Sequence, residues 1–340
     1  MRRKLFFSVG TQSAIHEHFR VYAQTKLTSV GYSIRMVDEI AKIAQNIADY
    51  EGEPTRQGEP AGTSTRGKDF EREVAEGIVS ALRIISGTDA FLCYCNLVFK
   101  NKQKICILLV NNSLQKAIAL RFDSEAMNEF LIKSQGIEKC VDIEKEKSIE
   151  EIKKIKEIKQ KLNGYISTRY KVSSWVDGRL EDIKQRGWIP SYCNLDDYKK
   201  NYSNSETVFD LTVVLLEKEN NDKWNLHKKY LIECKSAKSS SGGRIDGNAH
   251  ERFSYQNLDF LEIALMHENE PYEILLFTNK AFLSYSNKYH AGFCAHALRL
   301  MEKYPCYRFN IVSTEEQYAR LLNEWKTWLT EGNDWEEYND

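Results

Sequence analysis

Eight cysteines and five prolines in 340 residues provide little cross-linking and little rigid punctuation. No two cysteines have CxxC spacing; Cys93 and Cys95 are two apart and the rest are scattered. Neither a zinc ribbon nor a disulfide framework is indicated, and reduced thiols in the cytoplasm are expected. No apolar run approaches the ~18–20 residues needed to span a bilayer, so no membrane partner is expected. The basic opening Met1–Gly10 has too short an apolar stretch for a signal peptide. There is no histidine pair at metal-binding spacing, no Ser–His–Asp arrangement, no Walker-type glycine loop and no internal repeat. Charge of one sign is also lacking, with 48 Lys+Arg against 49 Asp+Glu and a formal net charge of −1. That excludes a polybasic coat and argues at first against a nucleic-acid partner.

Placement changes that reading. Residues 1–35 carry six basic and one acidic side chain, residues 223–252 seven basic and three acidic, and residues 331–340 five acidic and none basic. Segregated charge of this kind is compatible with a polyanionic ligand whose binding depends on salt. With 42% hydrophobic and 11% aromatic residues, the chain can bury a core as one large domain or two ordinary ones.

The chain divides into a helical N-terminal segment over 1–50, a Gly/Pro-rich linker over 51–67 and a main domain over 68–340. In the first, Ile34, Val37, Ile40, Ile43 and Ile47 recur at helical spacing. The main domain opens with a helix from Gly67 to about Ser86, followed by strands at 90–99 and 104–111. A helical insertion is expected at about 142–190, led by a charged helix over 142–162 with Ile149, Ile152, Ile155, Ile158 and Leu162 along one side. That stripe suits either a dimer surface or core packing. Further on, Val208–Leu216 reads as one buried strand and Tyr230–Lys235 as a second, with a Ser/Gly loop over 236–246. Helix 248–267, strand 272–278, helix 287–303, strand 307–312 and helix 314–329 complete an α/β pattern around a central sheet.

Three carboxylates interrupt apolar surroundings, where an unpaired charge is costly. Asp210 lies in Thr-Val-Phe-Asp-Leu-Thr-Val-Val, while Glu233 and Lys235 end the next strand and project from one face. If the two strands form a hairpin, all three meet at one end of the sheet. Glu71 falls within the apolar arc of Phe70, Val74, Ile78, Ala81, Leu82 and Ile85. Hard carboxylate oxygens suit Mg²⁺, and Asp210, Glu233 and the Cys234 carbonyl are candidate ligands, with Glu71 in support. Lys235 would offset phosphate charge beside such an ion. The bland alternative is a buried ion pair without chemistry, since an Asp…Glu-x-Lys pattern arises readily by chance.

The order Asp210…Glu233-Cys234-Lys235 resembles the PD-(D/E)XK nuclease superfamily, with Phe209 where the family name has proline. The Phe70-Glu71 helix is similar to that family's first core helix. Gly247-Asn-Ala-His-Glu-Arg252 resembles the Gly-Asn-Ala-Ile-Glu-Arg recognition segment of EcoRI-type restriction endonucleases in five residues of six. The likeness spans roughly residues 205–280, and more loosely 68–86. Gln256, followed by Phe260, bears a faint resemblance to the glutamine motif of RecB-type nucleases. A capping box also accounts for Asn248 and Glu251, though not for Arg252. Asn and Arg are the side chains that read adenine and guanine edges bidentately.

The resemblance implies a restriction-endonuclease-like α/β core, with a central mixed β-sheet flanked by helices and the N-terminal helical segment added. It implies a type II restriction endonuclease that uses Mg²⁺ to cut double-stranded DNA at a short specific sequence, leaving 5′-phosphates. It also implies a homodimer and a cognate DNA methyltransferase. Catalysis would fall to Asp210, Glu233, Lys235 and Glu71, and DNA contacts to Lys238, Arg244, Asn248, Glu251 and Arg252. The rivals are a repair or structure-specific nuclease of the same fold, a non-catalytic DNA-binding protein on a decayed nuclease fold, and a plain scaffold. The last leaves the buried carboxylates unexplained.

Overall fold

The computed structural model describes residues 34–50, 63–85, 90–99, 102–111, 115–134, 148–171, 180–197, 206–219, 223–236, 247–280, 297 and 299–330. A seven-stranded sheet in the order β1-β2-β3-β6-β7-β8-β9 forms the centre. Its strands are β1 Ala90–Phe99, β2 Lys102–Asn111, β3 Lys116–Phe122, β6 Leu211–Lys218, β7 Trp224–Lys235, β8 Tyr272–Thr278 and β9 Phe309–Val312. The first five positions in that order pair antiparallel; β7–β8 and β8–β9 pair parallel. The sheet is therefore mixed, and the α/β expectation holds at that level. A separate two-stranded sheet joins β4 Arg169–Lys171 to β5 Glu206–Val208.

Helices cover both faces. On one, α1 Ile34–Ala48, α2 Thr63–Ile85, α3 Glu125–Ser134 and α7 Glu315–Thr330 bury Ile40, Ile47, Phe70, Val74, Leu82, Leu131 and Trp325. These pack against Ile107, Ile118, Val213, Ile232 and Phe277 of the strands. Gly77 sets how closely α1 approaches α2: a Cβ there would lie 2.7 Å from Ile47 Cδ1. On the other face, α4 Ile149–Leu162 seats Ile155, Ile158 and Leu162 on Leu108, Ala119 and Val214. The isoleucine stripe is thus spent on the core, although Ile149 at its start remains exposed. Beside it, α6 Gly247–Met266 packs Phe260, Ile263 and Ala264 onto Leu231, Ile274 and Leu276.

Several boundaries differ from the sequence reading. The apolar run 208–216 is not one strand: β5 ends at Val208, the chain turns through Phe209 and Asp210, and β6 starts at Leu211. Apolarity alone does not mark the break, because Phe209 stays buried while changing sheets. α2 begins at Thr63, inside the stretch read as linker, and β7 starts at Trp224 rather than Tyr230. β3 and α3 were not foreseen, although every residue of β3 is buried. Residues 1–33, 51–62, 135–147, 237–246, 281–296 and 331–340 lie outside the described residues, with the expectations that fall on them. No described helix is long and apolar enough to cross a membrane.

One buried charge ties the β7–β8 crossover together. Lys229, only 2% exposed, donates from Nζ to Glu270 Oε2 at 2.7 Å, and His267 Nδ1 lies 3.0 Å from Glu270 Oε1. Burial pushes the Glu270 carboxyl up, but the hydrogen bonds and charges of Lys229 and His267 outweigh it and hold it below the usual carboxylate range. A carboxylate lowered by folding adds stability above its unfolded pKa and loses it as the pH falls through the folded value. Glu270→Gln should therefore cost about 1–2 kcal/mol near neutral pH, reduced by solvent screening at the partly exposed carboxylate. Urea unfolding across a pH series checks this: the gap to wild type should close below about pH 4.

Candidate functional site

The register between β6 and β7 places Leu211 opposite Ile232, so Asp210 and Glu233 stand across from each other where the pair of strands ends. Asp210 is clamped through its main chain and its side chain. Its carbonyl accepts the Asp123 N–H at 2.9 Å, and the neighbouring Phe209 N–H donates to Thr168 O at 2.8 Å. Its Oδ2 accepts the Cys234 N–H at 2.7 Å. The carboxylate is thereby aimed at β7.

Glu233 is 3% exposed. Its Oε1 accepts hydrogen bonds from Lys235 Nζ and, at 2.9 Å, from Gln256 Nε2 on α6. Its Oε2 is buried without any hydrogen-bond partner, as is Gln256 Oε1. Leaving a buried carboxylate oxygen unmatched is costly unless something else supplies a proton or a positive charge. α2 packs against β7 and brings Glu71, partly buried, into the electrostatic reach of Lys235 and Glu233. One helix layer thus contributes a carboxylate and the other an amide to a single end of the sheet.

The cluster holds three carboxylates and one ammonium. Burial pushes the Asp210 carboxyl well up, and the charges of Glu233 and Glu71 push it further, against Lys235 and the Cys234 N–H. Burial also raises Glu71; Lys235 opposes this, and Glu233 adds to it. For Lys235, burial favours the neutral amine, but Glu233 and Asp210 outweigh it, so the ammonium is held above its usual range. The buried Cys234 thiol is pushed well up, chiefly by desolvation. Its side chain belongs to the apolar core.

Polar contacts among Asp123, residues 167–169 and Thr212 stiffen this arrangement. Arg169 grips Asp123 with two hydrogen bonds, Nε to Oδ1 at 3.0 Å and Nη2 to Oδ2 at 3.1 Å. Thr168 Oγ1 donates to Asp123 Oδ1 at 3.3 Å, and Thr212 Oγ1 donates to Ser167 O at 2.9 Å. Residues 167–169 therefore fasten the ends of β3 and β6 together around Asp210. Sequence reading missed Asp123 and Arg169. The available signal was the apolar run Ala117-Ile-Ala-Leu-Arg-Phe122 ending in an acid, the same end-of-strand placement that singles out Asp210.

The structure brings Asp210, Glu233, Lys235 and Glu71 together and adds Gln256 directly to Glu233. Asn248, Glu251 and Arg252 lie in the first turns of α6, upstream of Gln256, and the helix begins at Gly247, one residue before the N-cap position expected for Asn248. Lys238 and Arg244 lie outside the described residues. Among the described residues, no group of three His, Cys, Asp or Glu side chains is arranged to hold a metal ion by itself. The donor set nevertheless fits a hard cation that keeps several waters: carboxylate oxygens from the turn before β6 and from β7, one of them buried and unpartnered. No protein-family model, curated protein or solved structure matches the chain.

Crowded like charge predicts a trade-off between stability and function. In metal-free buffer, Asp210→Asn should stabilise the protein by about 1–2 kcal/mol, because the amide keeps an acceptor for the Cys234 N–H and removes one negative charge. Thermal unfolding would show this as a raised midpoint; a lowered one would mean that Asp210 contributes to stability as an ordinary buried anion.

Proposed function

We propose that the protein is a type II restriction endonuclease, hydrolysing phosphodiester bonds of double-stranded DNA at a short specific sequence with Mg²⁺. The observation that carries this reading is the meeting of Asp210, Glu233 and Lys235, with Glu71 beside them, around an unpartnered buried carboxylate oxygen. A structural ion pair needs one acid and one base; three acids around one base make a site suited to an added cation.

In this reading Asp210 and Glu233 hold the ion, and Glu71 supports its water shell. When bound, the ion lowers the pKa of a coordinated water and offsets charge developing on phosphorus. Gln256 fixes the orientation of Glu233 through Nε2. Lys235, hydrogen-bonded to Glu233, serves as a donor and positive charge toward the scissile phosphate. Water attacking phosphorus in line expels the 3′ oxygen and leaves a 5′-phosphate. Asn248, Glu251 and Arg252, on the helix that carries Gln256, are the proposed base readers, and Lys238 and Arg244 contact phosphates. A homodimer on a palindrome is the simplest way to cut both strands, and a cognate methyltransferase would protect host DNA.

Incubation of phage DNA with the protein and Mg²⁺, beside Glu233→Ala and Lys235→Ala, tests the reading. Wild type should give discrete fragments, and each variant should be slower by about a hundredfold or more. Mg²⁺ should raise the unfolding midpoint of wild type but not that of Glu233→Ala. A smear would indicate a nonspecific nuclease, and retarded but intact DNA a non-catalytic binder.

A further inference from the structure

Strand β4 is short, and Arg169 at its start is fixed through both its main chain and its side chain. In the register it stands opposite Val208, two residues before Asp210, although helix α5 Leu180–Gln185 lies between β4 and β5 in the chain. Ser167 Oγ accepts the Arg169 N–H at 3.1 Å, and the Thr168 carbonyl accepts the Phe209 N–H. The side chain is aimed as firmly. Nε and Nη2 take the two oxygens of Asp123, whose own N–H donates to the Asp210 carbonyl. The Asp123 carboxylate is also within electrostatic reach of Glu71. Through Asp123, a guanidinium is therefore held at the edge of the acid cluster.

Asp123 takes one edge of the guanidinium and leaves the edge that carries Nη1. Nη1 lies 3.7 Å from Glu206 Oε2, longer than a hydrogen bond, and the Arg169 side chain is 50% exposed. As a fastener the pair would be weak, since an ion pair half open to water adds little. Main-chain bonds of Asp123 and Phe209, with the Thr212 hydroxyl on Ser167 O, already join the same segments. What the pair supplies is orientation: an arginine already held still loses little freedom on meeting a ligand. The chemistry of that ligand follows from the place. A duplex lying over Asp210, Glu233 and Glu71 brings a phosphate charge for every ~3.4 Å of each strand. Lys235 is committed to Glu233, and a guanidinium edge matches a pair of phosphate oxygens.

We infer that Arg169, held in readiness by Asp123, grips a backbone phosphate of the DNA bound over the acid cluster. This rests on the DNA reading above and adds to it a contact residue outside the cluster. Arg169→Gln and Asp123→Asn break the same pair, so a purely structural role predicts the same behaviour from both. The phosphate contact predicts different behaviour. In metal-free buffer, where DNA is not cut, fluorescence anisotropy would follow a labelled duplex across a KCl series. Arg169→Gln should bind about tenfold more weakly, and its log affinity should fall with log salt on a slope shallower by about one. Asp123→Asn removes a negative charge and leaves the guanidinium in place, so it should keep the wild-type slope and bind at least as tightly. Arg169→Lys should recover the slope. Thermal unfolding should move Arg169→Gln and Asp123→Asn by a similar amount, because both lose one pair.

The same change in both variants, or an unchanged slope in Arg169→Gln, would overturn the contact and leave Arg169 a fastener of β4, with the nuclease reading intact. With Mg²⁺, Arg169→Gln cutting DNA at the wild-type kcat/KM would overturn it in the same way. A shallower slope in Arg169→Gln, from a wild type that cuts nothing, would keep the phosphate contact and overturn the nuclease reading. Wild type that neither binds nor cuts DNA would overturn both.

Discussion

Pairing of β6 with β7 forces two acids to face each other, and much of the site is a response to that constraint. With Leu211 opposite Ile232, Asp210 and Glu233 cannot separate without breaking the centre of the sheet. Each neighbouring contact relieves a part of the repulsion. The Cys234 N–H takes one Asp210 oxygen; Lys235 and Gln256 share one Glu233 oxygen. One Glu233 oxygen is left without relief. Glu71 adds to the burden from a different layer. The fold therefore stores unfavourable electrostatics at the end of its central strands, a location where the strength of a field depends on how little water reaches it.

Such a cluster keeps its geometry only if the backbone around it is stiff. The stiffness comes from residues far apart in sequence. Asp123, just after β3, and Thr168, just before β4, grip the turn at Asp210 and Phe209, and Thr168 and Arg169 in turn hold the Asp123 carboxylate. Phe209 adds packing of its own, stacking on Phe260 at 5.1 Å between centroids and meeting Tyr170 edge-on at 5.8 Å. The residue before the acid is thus an anchor that joins α6, β4 and the turn. A side chain of that size at this position explains how the turn is fixed without a proline.

The central hairpin and its acids were legible because apolar strands punctuated by charge are rare, and because period two puts Glu233 and Lys235 on one side. The helical arc over 70–85 likewise exposed Glu71 as out of place. What could not be read was pairing between distant elements. Asp123 shows locally only that an acid follows an apolar run, which does not say what it meets, and Arg169 acquires its partner only when β3 and β4 come together. β3 itself escaped notice because Lys116 and Arg121 break its apolar pattern, although both are buried in the fold. Phe209 misled in the opposite direction: its burial in the core extended an apolar run across a real chain turn. The role of Gln256 needed the helix phase relative to β7, which no single element's pattern supplies.

The layer that carries Glu71 is closed by the far end of the chain. α1 and α2 pack with α7, Asn111 Nδ2 donates to the Leu329 carbonyl at 2.9 Å, and Trp325 is fully buried among them. During synthesis, every residue of the acid cluster leaves the ribosome before the helix that covers α1 and α2. A chain stopped short of α7 would leave the face of α1 that α7 covers open to solvent, and it would hold Glu71 on a helix with part of its packing missing. Assembly of the cluster is in this sense a late event, tied to the arrival of α7 and not to the folding of the strands that bear most of its side chains.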